Sequence, residues 1–126
     1  TFSMQWRDGH DQRLDKMENI IRSTALEVAD RDGASVDFSK MHGLKPVQMD
    51  QSLQDILRNA AENACPNRWR NIQSGALHDA ANVAKLMPAA MLFVPSIEGI
   101  SHDFSEDTNE QDLIDGLTVL AQAILN

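Results

Sequence analysis

The chain has 126 residues, 42% of them hydrophobic, so it can bury the core of one domain or of two small units. Its formal net charge of −8 argues against a nucleic-acid partner, because an acidic surface repels phosphate groups. The single cysteine, Cys65, excludes an internal disulfide, and the longest apolar run, residues 87–95, is too short to cross a membrane. These features predict a cytoplasmic protein that binds neither nucleic acid nor a membrane.

The first part of the chain predicts a strand, a long helix and a second strand. Residues 2–7 alternate apolar and polar side chains, as a half-buried strand does. Residues 11–30 carry apolar side chains at spacings of three and four, which predicts an amphipathic helix that Gly33 ends. Residues 36–39 alternate again and predict a short strand before a loop at Gly43.

A second helix is predicted between Asp50, a good N-cap residue, and Pro66, which ends it. Cys65 at this helix end is expected to be a buried apolar residue rather than a reactive thiol. Residues 69–72 are a strand candidate, and residues 78–87 predict a short helix.

The last part of the chain predicts a buried strand and a closing helix. Residues 89–94 are continuously apolar, as expected of a central strand covered on both faces. The final helix is expected to follow Thr108, with Gln111 reaching back in a capping box. The residues of its predicted buried face are Leu113, Leu117, Leu120, Ala121 and Ile124.

The order of these elements predicts the fold class. Strands and helices alternate along the chain, which is typical of an α/β or α+β layer structure. A change in character near residues 43–49 divides the chain into residues 1–46 and residues 47–126. The first piece has two predicted strands and one helix, which is little for a self-sufficient domain.

Two polar loops, residues 74–80 and 95–108, flank the predicted strand at residues 89–94. His102 follows the carboxyl end of that strand, and His78 follows the preceding strand candidate. Ligand sites in open α/β sheets collect at such strand ends, so the two histidines are candidates for a metal or acid–base pair. The alternative is that both are solvated loop residues. The sequence has no H-E-x-x-H motif, no paired cysteines and no glycine-rich phosphate loop.

Two stretches of sequence carry a family resemblance. Residues 74–80 read S-G-A-L-H-D-A, and residues 93–108 read F-V-P-S-I-E-G-I-S-H-D-F-S-E-D-T. Both resemble signatures of the zinc-dependent amidohydrolases that hydrolyse N-carbamoyl amino acids, allantoate and ureidopropionate. In the second signature a Pro-Ser, a Gly-Ile-Ser-His, a glutamate and a threonine stand at these spacings. The two signatures occur in the family's order with the family's gap.

The resemblance implies a set of site residues. His102 matches a metal ligand for zinc or manganese, and Arg7 matches an arginine that grips the substrate carboxylate. The backbone of Gly75 and Ala76, together with His78, is expected to line the substrate pocket. No catalytic residue is expected in this chain, because the general base and the other metal ligands of the family lie upstream of the matching segment. The substrate implied is a small carbamoyl or ureido compound.

The resemblance also implies an architecture and a partner. Residues 1–46 look like half of a lid and dimerisation domain, and residues 47–126 look like the C-terminal segment of a catalytic domain. A homodimer or higher homo-oligomer is therefore expected. The sequence departs from the family pattern at Gln5, Leu77 and Phe104, where the family usually has an acidic residue, glycine and proline. The alternative is a truncated, stand-alone, non-catalytic module for ligand binding or dimerisation.

Overall fold

The computed structural model describes residues 1–40 and 43–125, and the chain divides into two compact units. The first unit comprises residues 1–47 and 73–76, and the second comprises residues 48–72 and 77–126. The elements are α1 (Asp11–Asp32), α2 (Gln51–Ala64), α3 (Ala80–Val83), a 3-10 turn (Ile97–Gly99) and α4 (Glu110–Leu125). Among the described residues, no helix combines the length and the apolar content needed to cross a membrane.

Helix α1 forms the body of the first unit, and it confirms the helix expected over residues 11–30. Gly33 ends it in the left-handed conformation, with φ of 64°, and its N–H group donates to the carbonyl of Asp30. Glycine adopts this conformation without the steric penalty that a Cβ atom brings. The chain then folds back on the helix, where the Arg22 guanidinium lies 4.8 Å from the centre of the Phe38 ring.

Helix α2 begins and ends where the local signals place it. The side chain of Asp50 accepts hydrogen bonds from the Ser52 hydroxyl and from the backbone N–H of Leu53. These two bonds hold the pKa of the Asp50 carboxyl below its ordinary value, because both stabilise the charged form. The helix ends at Ala64, and Cys65 follows it as a buried residue, as predicted. Burial raises the pKa of the Cys65 thiol.

The core of the second unit lies where α2 meets α4. Ala60, Ala61, Cys65 and Val119 are its buried residues, with Trp69 and other partly buried side chains around them. The small side chains of α2 let the two helices approach closely. The partly buried side chains packed against this core are those of Leu57, Ala64, Trp69 and Ala123. Ion pairs reinforce the contact between the helices, since the Arg68 guanidinium lies 3.1 Å from the Asp112 carboxylate and 2.7 Å from the Asp115 carboxylate, both on α4.

The buried face predicted for α4 is wrong. The exposed fractions of Leu113, Leu117, Leu120 and Ile124 are 51%, 69%, 44% and 74%, and Ala121 is also exposed. The helix instead turns Val119 and Ala123 towards α2, because the alanine surface of α2 and the Arg68 ion pairs select that side.

The predicted capping box of α4 is also wrong. Helix α4 begins at Glu110, and the carbonyl of Asn109 accepts the first helical hydrogen bonds, from Asp112 and Leu113. The Gln111 side chain donates to Asp115, one turn further on, at 2.8 Å. Gln111 therefore does not reach back to Thr108.

The structure does not confirm the sheet of the predicted α/β fold. No strand is assigned within residues 1–40 and 43–125, although strands were expected at residues 2–7, 36–39, 69–72 and 89–94. A strand requires a neighbouring backbone to complete its ladder of hydrogen bonds, and alternation of side chains cannot supply one. The expected central strand is not covered either, since Leu92, Phe93 and Val94 are 39–47% exposed. The short helix expected at residues 78–87 is reduced to Ala80–Val83, followed by turns.

Candidate functional site

In the first unit the structure brings together two of the predicted substrate-binding residues, Arg7 and Gly75. One terminal nitrogen of the Arg7 guanidinium, Nη1, donates to the carbonyl of Gly75 at 2.6 Å, although the two residues are 68 positions apart. The other, Nη2, donates to the side-chain oxygen of Gln5 at 3.1 Å. Ala76, the next predicted residue, donates its N–H to the Ser74 hydroxyl at 3.2 Å. Arg7 thus donates to one acceptor two residues away and to one from a distant segment of the chain.

The two acceptors on Arg7 are neutral, which leaves its positive charge available. The side chain is exposed, and within the described part of the chain no carboxylate lies within ion-pair distance of it. A guanidinium carries five N–H donors in a planar fork, so donors remain after these two bonds. Such a group suits bidentate recognition of a carboxylate.

His78 lies in the second unit and is half-buried. Its ring centre is 5.3 Å from that of Phe93, and the two ring planes are tilted by 53°. This is a tilted aromatic contact at a distance typical of favourable ring pairs. The neighbouring Leu77, where the family usually has glycine, is exposed.

His102 stands in a turn with an uncommon backbone conformation. Its φ angle is 59°, in the left-handed region that residues with a Cβ atom rarely adopt. The backbone N–H of His102 donates to a carboxylate oxygen of Glu106 at 2.7 Å. The residue is exposed, and Phe104 beside it is fully exposed. The imidazole is therefore accessible from outside the chain.

The loop that carries His102 is closed at its base and braced in its interior. The N–H of Ile97 donates to the carbonyl of Asp107 at 2.8 Å, which joins the two ends of the loop. Inside it, the hydroxyl and the N–H of Ser105 donate to one oxygen of Asp103 at 2.7 and 2.9 Å. These bonds hold the pKa of the Asp103 carboxyl below its ordinary value.

The chemistry of His102 fits one position of a metal site. A neutral, accessible imidazole is a common ligand for zinc and related ions. A closed zinc site needs about four ligands, and a catalytic one about three with an open position. Residues 1–40 and 43–125 contain no group of three or more histidine, cysteine, aspartate or glutamate side chains arranged to hold a metal ion. The expectation that His102 lies near His78 stays a prediction.

Three residues make contacts with predicted site residues that the sequence did not predict: Gln5, Phe93 and Glu106. The sequence analysis noted Gln5 as a departure from the family pattern and Glu106 as part of the second signature. The sequence did not predict their hydrogen bonds to Arg7 and His102, because spacing alone does not identify hydrogen-bond partners. Phe93 was assigned to a buried strand, whereas its ring contacts His78 and is 47% exposed.

Comparison with known proteins gives consistent matches over nearly the whole chain. The family model described as peptidase family M20/M25/M40 matches residues 7–126. An N-carbamoyl-L-amino-acid amidohydrolase of Paenarthrobacter aurescens is 33% identical over 98% of this chain and 30% of its own length. An allantoate amidohydrolase of Escherichia coli (strain K12) is 36% identical over 84% of this chain and 25% of its own length.

A solved structure agrees with these relatives. The crystal structure of an amidase of the hydantoinase/carbamoylase family from Burkholderia phymatum superposes with a TM-score of 0.77 at 36% identity. The match covers 93% of this chain and 28% of that one. The chain therefore spans 24–30% of the length of these curated relatives.

Proposed function

We propose that this chain, which belongs to peptidase family M20/M25/M40, is the C-terminal part of a metal-dependent amidohydrolase. Its substrates would be N-carbamoyl amino acids, allantoate or related ureido compounds, as the names of its relatives suggest. The observation that carries the proposal is the hydrogen bond between Arg7 and Gly75. It joins two residues that the family resemblance assigned to the substrate from widely separated parts of the chain.

Arg7 is the residue proposed to bind the substrate carboxylate. Gln5 and the Gly75 carbonyl orient the guanidinium, and its remaining donors can form two parallel hydrogen bonds to a carboxylate. Because both orienting groups are neutral, the cation keeps its full charge for the ligand. Binding of the carboxylate would place the carbamoyl end of the substrate at a fixed distance from Arg7.

His102 is proposed to supply one imidazole ligand to a zinc or manganese ion. A bound ion of this kind supplies Lewis acidity and lowers the pKa of a coordinated water. The general base and the other ligands would come from residues outside this chain, so the chain by itself is expected to be inactive. Its own contribution is one ligand, one carboxylate-binding arginine and the surfaces around them.

Exposed apolar surface in the second unit supports the proposal that further polypeptide packs against this chain. The leucine side chains of α4 are exposed, with exposed fractions of 51% at Leu113 and 69% at Leu117. Phe93 and Val94 are 47% and 39% exposed. Apolar surface on this scale is usually covered in a folded protein.

A homodimer or higher assembly is proposed through the first unit. Phe2 and Met4 are 83% and 55% exposed, and Ile20 and Leu26 of α1 are each 54% exposed. Burying such side chains in a symmetric interface would remove them from water. Analytical ultracentrifugation of the chain should show a dimer that Leu26→Asp weakens. A monomer at all concentrations would contradict this part of the proposal.

The carboxylate-binding role is tested with a matched pair of ligands. N-carbamoylglycine and its carboxamide have nearly the same size and shape, but one ends in an anionic carboxylate and the other in a neutral amide. Isothermal titration should show that the chain prefers the acid, and that Arg7→Lys reduces the preference, because lysine keeps the positive charge but cannot form the bidentate fork. Arg13→Lys is the control, because Arg13 belongs to the same unit and pairs with Asp8. Equal binding of acid and amide by the unaltered chain would refute the role of Arg7.

An activity assay separates the two readings of the chain. The purified protein is tested against N-carbamoyl amino acids and allantoate with added zinc, manganese or cobalt. No turnover is expected above a metal-only control. Turnover that is lost in His102→Ala would show that the chain is an enzyme by itself. Absence of both turnover and Arg7-dependent binding would favour the alternative of a dimerisation module.

A further inference from the structure

Gln5 presents a side-chain amide directly beside the Arg7 guanidinium. We propose that the Nε2 amino group of this amide donates a hydrogen bond to the carboxylate that Arg7 binds, so that Gln5 is a second ligand-binding residue of the site. The inference rests on the proposed role of Arg7 and adds to it a neutral donor that determines how tightly the carboxylate is bound.

The hydrogen bond to Arg7 determines which end of the Gln5 amide faces the guanidinium. A guanidinium has donors and no acceptor, so the atom that lies 3.1 Å from Nη2 of Arg7 is the amide oxygen, Oε1. Nε2 is attached to the same carbon and keeps two N–H donors next to the arginine. Within residues 1–40 and 43–125, neither of these donors has a hydrogen-bond partner. The Gln5 amide is therefore oriented at one end and available at the other.

A second contact supports the position of the segment that binds Arg7. Nη1 donates to the carbonyl of Gly75 at 2.6 Å. A Cβ atom at Gly9 would lie 3.0 Å from the Gln73 side chain, so the two segments also approach closely at this second point. Arg7 therefore lies where two segments of the first unit meet, and its side chain stays exposed to a ligand.

A carboxylate has room for donors from both residues. Its two oxygens offer about four lone-pair sites, so it can accept two hydrogen bonds from the free donors of Arg7 and a third from Gln5. Hydrogen bonds to a charged acceptor are stronger than those between neutral groups. An amide makes this bond without bringing a negative charge, whereas a glutamate at position 5 would offer acceptors only and would pair with Arg7 itself. The glutamine therefore adds affinity for an anion, and an acidic residue in its place would compete with that anion.

Two variants of Gln5 and one control test the inference in the ¹⁵N-labelled chain, with N-carbamoylglycine as the probe. Gln5→Met keeps the length of the side chain but removes its donors, and Gln5→Glu also adds a negative charge. Gln12→Glu is the control, because it makes the same change of net charge in the same unit. Gln12 is exposed on α1, and its side chain makes no hydrogen bond to the described residues. The two readouts are the side-chain amide signals of Gln5 and the Kd from the titration.

N-carbamoylglycine should move one Nε2 proton signal of Gln5 downfield, because that proton enters a hydrogen bond to a carboxylate. The side-chain signals of Gln12 should stay in place. Gln5→Met should raise the Kd about tenfold, the loss expected for one hydrogen bond to a charged group. Gln5→Glu should raise the Kd further, because the new carboxylate pairs with Arg7, and Gln12→Glu should change it less than about twofold.

Each other result overturns a defined claim. If the Gln5 amide signals stay unshifted at saturation, Gln5 only orients Arg7, and the inference is refuted even when the Kd rises. An unchanged Kd in Gln5→Met refutes the inference too, as does an equal rise in Gln5→Glu and Gln12→Glu, since the effect would then be one of net charge. If the unaltered chain does not bind N-carbamoylglycine, or binds it as tightly after Arg7→Lys, the proposed role of Arg7 fails, and the inference fails with it.

Discussion

Replacing Gly116 by alanine tests how closely α4 approaches the segment that precedes its loop. A Cβ atom at residue 116 would lie 2.5 Å from Cγ1 of Val94, well inside van der Waals contact. Val94 is β-branched and has few alternative rotamers, so it cannot yield freely. Overpacking of this kind costs about 1–3 kcal/mol. Alanine in a helix interior is about 1 kcal/mol better than glycine, which offsets part of that cost.

We therefore expect Gly116→Ala to lower the free energy of unfolding by roughly 1 kcal/mol, because the overpacking cost exceeds the gain in helix propensity. The sign should reverse when the obstacle is removed. In a Val94→Ala background, Gly116→Ala should raise the free energy of unfolding by up to about 1 kcal/mol, because only the helix propensity remains. The double-mutant cycle should therefore give a coupling energy of about 1–3 kcal/mol.

Urea unfolding followed by tryptophan fluorescence measures these differences. Trp69 packs against the core of the second unit, and Trp6→Phe in every variant removes the signal of the first unit. If Gly116→Ala stabilises the protein equally with and without Val94→Ala, the close approach of α4 to Val94 is refuted.

Three further predictions concern the second unit. The pKa of Asp50 is lowered in the folded state, so the charged Asp50 carboxylate stabilises the fold fully above the ordinary value of 3.8, and this stabilisation is lost as pH falls through the lowered value. An acid titration followed by circular dichroism should show this pH-dependent loss of stability, and Asp50→Asn should abolish it. Because Cys65 is buried and its thiol pKa is raised, iodoacetamide should modify it slowly in the native protein and rapidly in urea; equal rates would contradict its burial. Arg68→Met should cost less than about 1 kcal/mol, because Arg68 is half exposed, and the loss should shrink at high salt; a salt-independent loss would point to packing instead.

The sequence determined the parts of this protein whose causes lie within a turn or two of the chain. Gly33 ends α1 because glycine takes a positive φ, and Asp50 begins α2 because its side chain reaches the N–H groups just after it. The two signatures predicted roles for Gly75 and His102, and the wider resemblance predicted one for Arg7, because a family pattern preserves residue type and spacing; these roles stay predictions. None of these inferences depends on which surfaces of the chain pack against each other.

The tertiary structure alone decided which surfaces meet. Helix α4 is apolar around much of its circumference, so the sequence could not choose between its leucines and Val119; the alanine surface of α2 made that choice. Residues 89–94 had the composition of a buried strand, but a strand exists only when a second backbone completes its hydrogen bonds. The Arg7–Gly75 bond spans 68 positions, and the Glu106 side chain accepts a hydrogen bond from the backbone N–H of His102, four positions earlier. Each of these two hydrogen bonds depends on how the folded backbone brings donor and acceptor together, and the order of residues along the chain does not contain that distance.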